Sequence, residues 1–256
     1  MTTILTSSNL NLKRASEFLR AQEAEPPSFA IRLPFLERLQ EVFPFRGTLI
    51  EIIGAPSSGR FAVALSALAA ATGAGAPAAL VDLGDHLDPQ GAERAGVDLA
   101  RLLWLRPRRL KEAASGAEMI LAAGFPLVVL DLTERAASRL PDVTWVRLSR
   151  AAKAQKGILL LLSPAGSLPI SGWTADALLI ADQARPIWLG TGSAPKLLAG
   201  LSIRLTLRLR RGRRTEISEK FILPIDRTFG EGAPGIEKPE IKKGKGALQR
   251  APASHI

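Results

Sequence analysis

No cysteine occurs in the 256 residues, which excludes disulfides, zinc–thiolate sites and cysteine nucleophiles. Histidine is nearly as scarce. His86 and His255 stand far apart, so a histidine-rich metal site is not expected and no metal ligand set is assigned. The first residues hold no apolar signal core, because Thr, Ser and Asn interrupt it before Lys13 and Arg14. One long uncharged run, Phe61 to Val81, is mostly Ala and Gly and is broken by Pro77. Ala and Gly bring little transfer energy, so the run reads as a buried helix and a buried strand rather than a membrane span. The expectation is a cytoplasmic protein without membrane contact. Negative charge is also short. The 24 Asp and Glu face 34 Lys and Arg, giving a formal net charge of +10 and a pI near 10.6. That balance favours a polyanionic partner, most often nucleic acid, over a merely solvated basic surface.

What is present is 46% hydrophobic, enough for one sizeable core with tails. Residues 1–29 read as a helical appendage, with Leu10, Leu12, Phe18 and Leu19 as apolar positions and Pro26 and Pro27 as its end. It packs on the parent core or docks on a partner or neighbouring subunit. Residues 30–229 read as the core. Short apolar runs at 48–54, 78–83, 102–105, 126–132, 157–163 and 177–182 alternate with helical patterns after Gly59, at Pro89–Ala95, Leu110–Ala123 and Thr144–Gln155. Buried runs alternating with helices predict an α/β fold, a mostly parallel twisted sheet flanked by helices. In "LSIRLTLRLRRGRRTEI", Ile203, Leu205, Leu207 and Leu209 alternate with Arg204, Thr206, Arg208 and Arg210. That pattern, with Gly212 among arginines, predicts a C-terminal antiparallel β-hairpin. Residues 230–256 are rich in Gly, Pro and Lys, lack apolar periodicity, and read as a disordered basic tail.

The chemistry gathers at "IIGAPSSGRFAV", an apolar strand, a glycine-bracketed loop and a helix. A phosphate-binding loop reads G-x-x-x-x-G-K-[ST]: glycines turn backbone N–H groups toward the phosphates, the lysine reaches them, and the hydroxyl binds Mg²⁺. Here Gly54, Ser57, Ser58 and Gly59 keep the first feature. Arg60 stands at the lysine position and keeps a cation, whereas Phe61 stands at the hydroxyl position and has no oxygen to give. Asp131 closes the apolar run "FPLVVLD", the form of an acidic strand that orders Mg²⁺ or water; the plain alternative is a strand-end residue capping the next turn.

In this order, "RGTLIEIIGAPSSGR", "ALVDLGDHLDPQGAERAGVDLARLLWLRP" and "FPLVVLDLT" resemble successive blocks of the RecA recombinase family, well from about Phe29 to Asp131 and more weakly to about Arg210. The resemblance implies a RecA-like core. It also marks departures: the family's catalytic glutamate falls at Gly84, with only Asp85 beside it, and little chain is left for the family's DNA-binding loops. RecA-like chains with eroded ATP sites include the ImuA group, accessory factors of error-prone translesion synthesis after DNA damage, and this chain is similar to them. The resemblance implies a pseudo-ATPase adaptor with no catalytic residue and no cofactor beyond weak ATP, ADP or phosphate binding. Its partners would be an ImuB-like Y-family-like polymerase homologue, an alternative replicative-type polymerase subunit, and RecA or a further copy of itself. Two other classes stay open: a slow DNA-dependent ATPase using Arg60, Asp131 and Asp85, and a SulA-like cell-division inhibitor.

Basic residues cluster in three places. Arg106, Arg108 and Arg109 follow a strand expected to end at the ligand-bearing edge of the sheet. Arg204, Arg208, Arg210, Arg211, Arg213 and Arg214 belong to the hairpin, and further lysines to the tail. Arginines along one strand face grip phosphates or an acidic protein surface, or merely protect an edge strand; their number favours binding. Single-stranded or junction DNA is the expected nucleic acid, with the protein on the nucleoid when active. Trp145, Trp173 and Trp188 are candidates for base stacking or interface anchoring, and equally for the core.

Overall fold

Apolar runs that lack alternation have to be covered on both faces, and here they become the middle of a sheet. In this computed structural model the described residues are 4–6, 46–132, 140–165, 169, 171, 174–190, 196–209 and 216–224. The strands are β1 (Ile4–Thr6), β2 (Thr48–Gly54), β3 (Ala78–Asp82), β4 (Leu102–Arg106) and β5 (Leu127–Asp131). They continue with β6 (Ile158–Pro164), β7 (Ala177–Leu189), β8 (Leu197–Leu209) and β9 (Glu216–Pro224). Their order across the sheet is β1-β4-β3-β5-β6-β2-β7-β8-β9. All neighbours pair in parallel up to β7, and β7–β8 and β8–β9 pair antiparallel. The expected mostly parallel sheet with a C-terminal antiparallel hairpin is therefore what the chain forms.

Among the described residues four α-helices accompany the strands: α1 (Arg60–Gly73), α2 (Pro89–Arg94), α3 (Leu110–Ala122) and α4 (Asp142–Ala154). Period-two alternation splits the strand side chains between two layers. Ile50, Ile52, Leu80, Val129 and Leu160 pack with α1, joined by Ile203, Leu205 and Leu207 of β8. Leu49, Val81, Val128, Leu130 and Leu161 pack with α3 and α4. The alanines of α1 favour helix and let it lie close on the sheet, with Ala64, Ala67 and Ala71 fully buried. α2 starts where "LDP" says it should: Asp88 accepts from the N–H groups of Gln90 and Gly91, and Pro89 takes the first helical position.

Two strands extend beyond the sequence reading. β7 does not stop at Asp182 but runs to Leu189, with register shifts between Asp182 and Arg185 and between Ile187 and Trp188. Gln183 sits at φ 50, and Pro186, which cannot donate to a ladder, follows the first shift. Those irregularities hide the strand from pattern reading. Ile4–Thr6 adds an edge strand beside β4, with Ile4 opposite Trp104. The helix expected within residues 1–29, the hairpin turn around Gly212 and the tail 230–256 lie outside the described residues. Among the described residues no helix is long and apolar enough to cross a membrane.

Candidate functional site

In an open parallel sheet ligands meet the chain at the carboxyl ends of the strands, where the strand order switches direction. β2 lies between β6 and β7, so its loop, Gly54 to Gly59, stands beside the ends of β6, β5 and β3. That adjacency brings Ser163, Asp131 and Asp82 to the loop, although they are scattered through the sequence.

The loop itself requires its glycines. A side-chain carbon at Gly54 would run into Ser58 Oγ, and one at Gly59 into Ile203 of β8. Gly59 also has φ +88, a conformation that costs other residues about 1–2 kcal/mol. Ser57 takes φ 62, and Ser58 donates its N–H to the carbonyl of Ala55 at 3.1 Å. The chain then enters α1 without a side-chain cap.

Arg60 turns back on its own scaffold. Its Nη1 donates to the carbonyl of Gly54 at 2.5 Å and to that of Ser163 at 3.2 Å, tying the ends of β2 and β6 together. Phe61 presents its ring to His86 edge-on, with centroids 6.2 Å apart. His86 Nδ1 lies 2.7 Å from Oδ2 of Asp131. The turn that carries it is held by Asp82, which accepts from the N–H groups of His86 and Leu87 and from Trp104 Nε1. Asp85, at φ 55, reverses the chain so that the imidazole lies over Gly84. A side chain at residue 84 would overlap that ring, so the space of the resemblance's glutamate is taken by His86.

Asp131 is 1% exposed, and burial pushes its carboxyl above the usual range, against the hydrogen bond from His86 that lowers it. Its Oδ1 and the hydroxyl of Ser58 are buried without a hydrogen-bond partner. Asp82, His86 and Asp131 offer ligand atoms within 4.8 Å of one another. However, the 2.7 Å His86–Asp131 contact has the length of a direct hydrogen bond, and both oxygens of Asp82 already accept. A magnesium–nucleotide complex fits these residues poorly. Position 61 has no oxygen, Arg60 is engaged by carbonyls, and Asp131 is engaged by His86.

Among the described residues the basic clusters stand apart. Arg106, at the end of β4, pairs with Asp85 and lies 4.9 Å over the Trp104 ring. Arg108 and Arg109 are exposed at the start of α3. Arg204 and Arg208 are exposed on β8, six strand positions from β4, or about 29 Å. Arg210, Arg211, Arg213, Arg214 and Trp173 lie outside the described residues. Trp145 is core at 1% exposure, whereas Trp188 is 52% exposed.

The family model of the RecA N-terminal domain matches residues 42–139. That stretch carries β2 to β5, the loop, His86 and Asp131. Over that stretch the fold is RecA-like. Protein RecA of Mycobacterium marinum is 42% identical over 87 residues, 34% of this chain and 25% of that protein. Protein RecA of Mycobacterium tuberculosis is also 42% identical over 87 residues, but they are 11% of its length, and that of Mycolicibacterium smegmatis is 41% identical over 87. The chain thus matches a quarter or less of these relatives, and β6 to β9 lie beyond the family match.

Two residues of the RecA-like core escaped the sequence reading. His86 was visible as one of two histidines, but nothing local says that it returns over Gly84 to Asp131. Glu51 was visible as a charge in an apolar strand. It is fully buried and accepts from Ser163 Oγ at 2.7 Å and from the N–H of Ser171 at 3.1 Å, with the Ser171 hydroxyl as a further donor. It anchors the segment after β6 to β2.

Proposed function

We propose that the chain is a RecA-like accessory protein of error-prone translesion synthesis, an ImuA-type adaptor whose nucleotide site no longer hydrolyses ATP. The observation that carries this reading is the closure of the site by its own side chains. Arg60 bridges the carbonyls of Gly54 and Ser163, while His86 covers Gly84 and holds Asp131. A hydrolytic site needs a metal ligand and a base aimed at water, and these positions hold Phe61 and Gly84. The adaptor would bring DNA, through its basic hairpin, to an ImuB-like polymerase homologue and a replicative-type polymerase subunit in the cytoplasm.

A phosphate-release assay with Mg–ATP and single-stranded DNA tests the reading. Turnover at background, together with capture of the ImuB-like protein by the purified chain, supports it. A second reading, a slow DNA-dependent ATPase, draws on the unpartnered oxygens of Ser58 and Asp131. DNA-stimulated turnover that vanishes in Asp131→Ala would establish that reading and sink the first.

A further inference from the structure

β7, β8 and β9 end the sheet with one face covered and one open. On the covered side Ile203, Leu205 and Leu207 pack under α1. On the other side register partners line up in rows across the three strands. Asp182, Arg204 and Lys220 form one row, and Arg185, Ser202 and Ile222 the next. All but Ser202 are exposed, so this face is open among the described residues.

The irregularity in β7 sets the second row. Asp182 and Arg185 are three residues apart and would face opposite ways on a regular strand. The register shift between them, with Gln183 at φ 50, inserts one residue and returns Arg185 to the side of Arg204. Bulges re-aim a side chain in this way. The outcome is three cations, Arg185, Arg204 and Lys220, on three neighbouring strands, within about 10 Å across the sheet. None of the three pairs with a described acid, and Asp182 is the one acid in the two rows. Arg208, further along β8, is already engaged and is left out. Arg204 and Lys220 stand directly opposite each other, a like-charge pairing that destabilises a sheet until an anion offsets it. The rows hold no aromatic residue, so bases find no stacking platform and the contacts fall on phosphates. A duplex, stiff over about 150 bp, does not follow a twisted sheet, whereas a single strand does.

We propose that this face binds the phosphate backbone of single-stranded DNA, which crosses the sheet from β7 to β9 over Arg185, Arg204 and Lys220. The proposal rests on the DNA-binding part of the function above. It adds two contacts, Arg185 and Lys220, that lie outside the basic runs of the sequence.

Fluorescence anisotropy of a labelled homothymidine oligonucleotide, titrated with the full chain across salt, tests it. Combining Arg185→Ala, Arg204→Ala and Lys220→Ala should weaken binding about tenfold or more and flatten the log–log salt slope by about 2, since each lost contact removes about 0.7. Arg94→Ala, Lys111→Ala and Arg150→Ala together remove the same charge from exposed helix positions and should leave the slope unchanged. An abasic strand should bind about as tightly as homothymidine, and a duplex of the same length more weakly. Equal losses in the two triple variants, or a slope that the first leaves intact, overturn the proposal. Loss of binding to the abasic strand, or a preference for the duplex, also overturns it. If the β7–β9 variant keeps its DNA affinity but no longer captures the ImuB-like protein, the face is a protein interface and the proposal falls while DNA binding stands. A parent chain that binds no oligonucleotide sinks the proposal and the DNA-binding part of the function together. ATP turnover would sink the pseudo-ATPase reading and leave this outcome untouched.

Discussion

Arg60 keeps the positive charge of the lysine position and directs it at two backbone carbonyls. A lysine ammonium is a point charge that can follow a phosphate, whereas the planar guanidinium donates in fixed directions and here meets two carbonyls. Restoring the consensus at 60 and 61 should therefore restore binding before chemistry. Arg60→Lys combined with Phe61→Thr is expected to bind Mg–ATP by calorimetry yet release phosphate at background, because residue 84 remains a glycine under His86. Turnover by that double variant would show that the missing base is not the barrier. Asp131 gives a second prediction at this scale. Burial raises its carboxyl, so the native state holds the proton to higher pH than the unfolded chain does. Between those two values the native state binds more protons, and stability falls as pH rises from about 4 upward. Asp82, His86 and Arg60 are the charged groups acting on it. Asp131→Asn should flatten that fall in urea unfolding measured across pH; an unchanged slope would assign it to another group.

β8 joins loop and surface within one element. Its odd positions Ile203, Leu205 and Leu207 are buried under α1, and Ile203 packs where a side chain on Gly59 would go. The even positions Arg204 and Arg208 are thereby held outward on a rigid strand, which lowers the entropy lost when they grip a ligand. Phosphate contacts release counterions, so affinity for single strands should fall with salt by a log–log slope of about −0.7 per contact. Replacing Arg208, Arg210, Arg211 and Arg213 by Ala should lower affinity and flatten that slope together, as measured by fluorescence anisotropy across salt. A fall in affinity with the slope intact would mean that the arginines act through folding. If neither changes while binding of the ImuB-like partner is lost, the hairpin is a protein interface.

Across the whole molecule the sheet order separates what the sequence places in comparable basic runs. Arg106, Arg108 and Arg109 follow β4, and Arg204 and Arg208 lie on β8, about 29 Å away across six strand spacings. One short strand of DNA cannot touch both. Alanine at Arg106, Arg108 and Arg109 should leave affinity for oligonucleotides shorter than that span unchanged, and weaken binding of longer ones. Equal losses at every length, in a titration over oligonucleotide length, would place the first cluster in the primary contact. Arg106 is the member to watch, since Asp85 and the Trp104 ring already engage it.

Elements were legible wherever local pattern and burial agreed. The runs at 48–54, 102–105 and 126–132 could only be covered strands, "LDP" carries its own helix cap, and the alternation in β8 separates core from surface. The strand, glycine-bracketed loop and helix at 48–73 were legible too, because their signals are adjacent in the chain. Contacts between distant segments were not. Only the sheet order sets Ser163 beside Gly54, where both carbonyls receive Arg60. Only the left-handed turn at Asp85 returns His86 over Gly84 to Asp131, 45 positions away. Pattern encodes which faces must leave water, a local property of each strand or helix. Which strand lies beside which depends on crossovers and close packing summed over the whole chain, and that was decided in the tertiary structure.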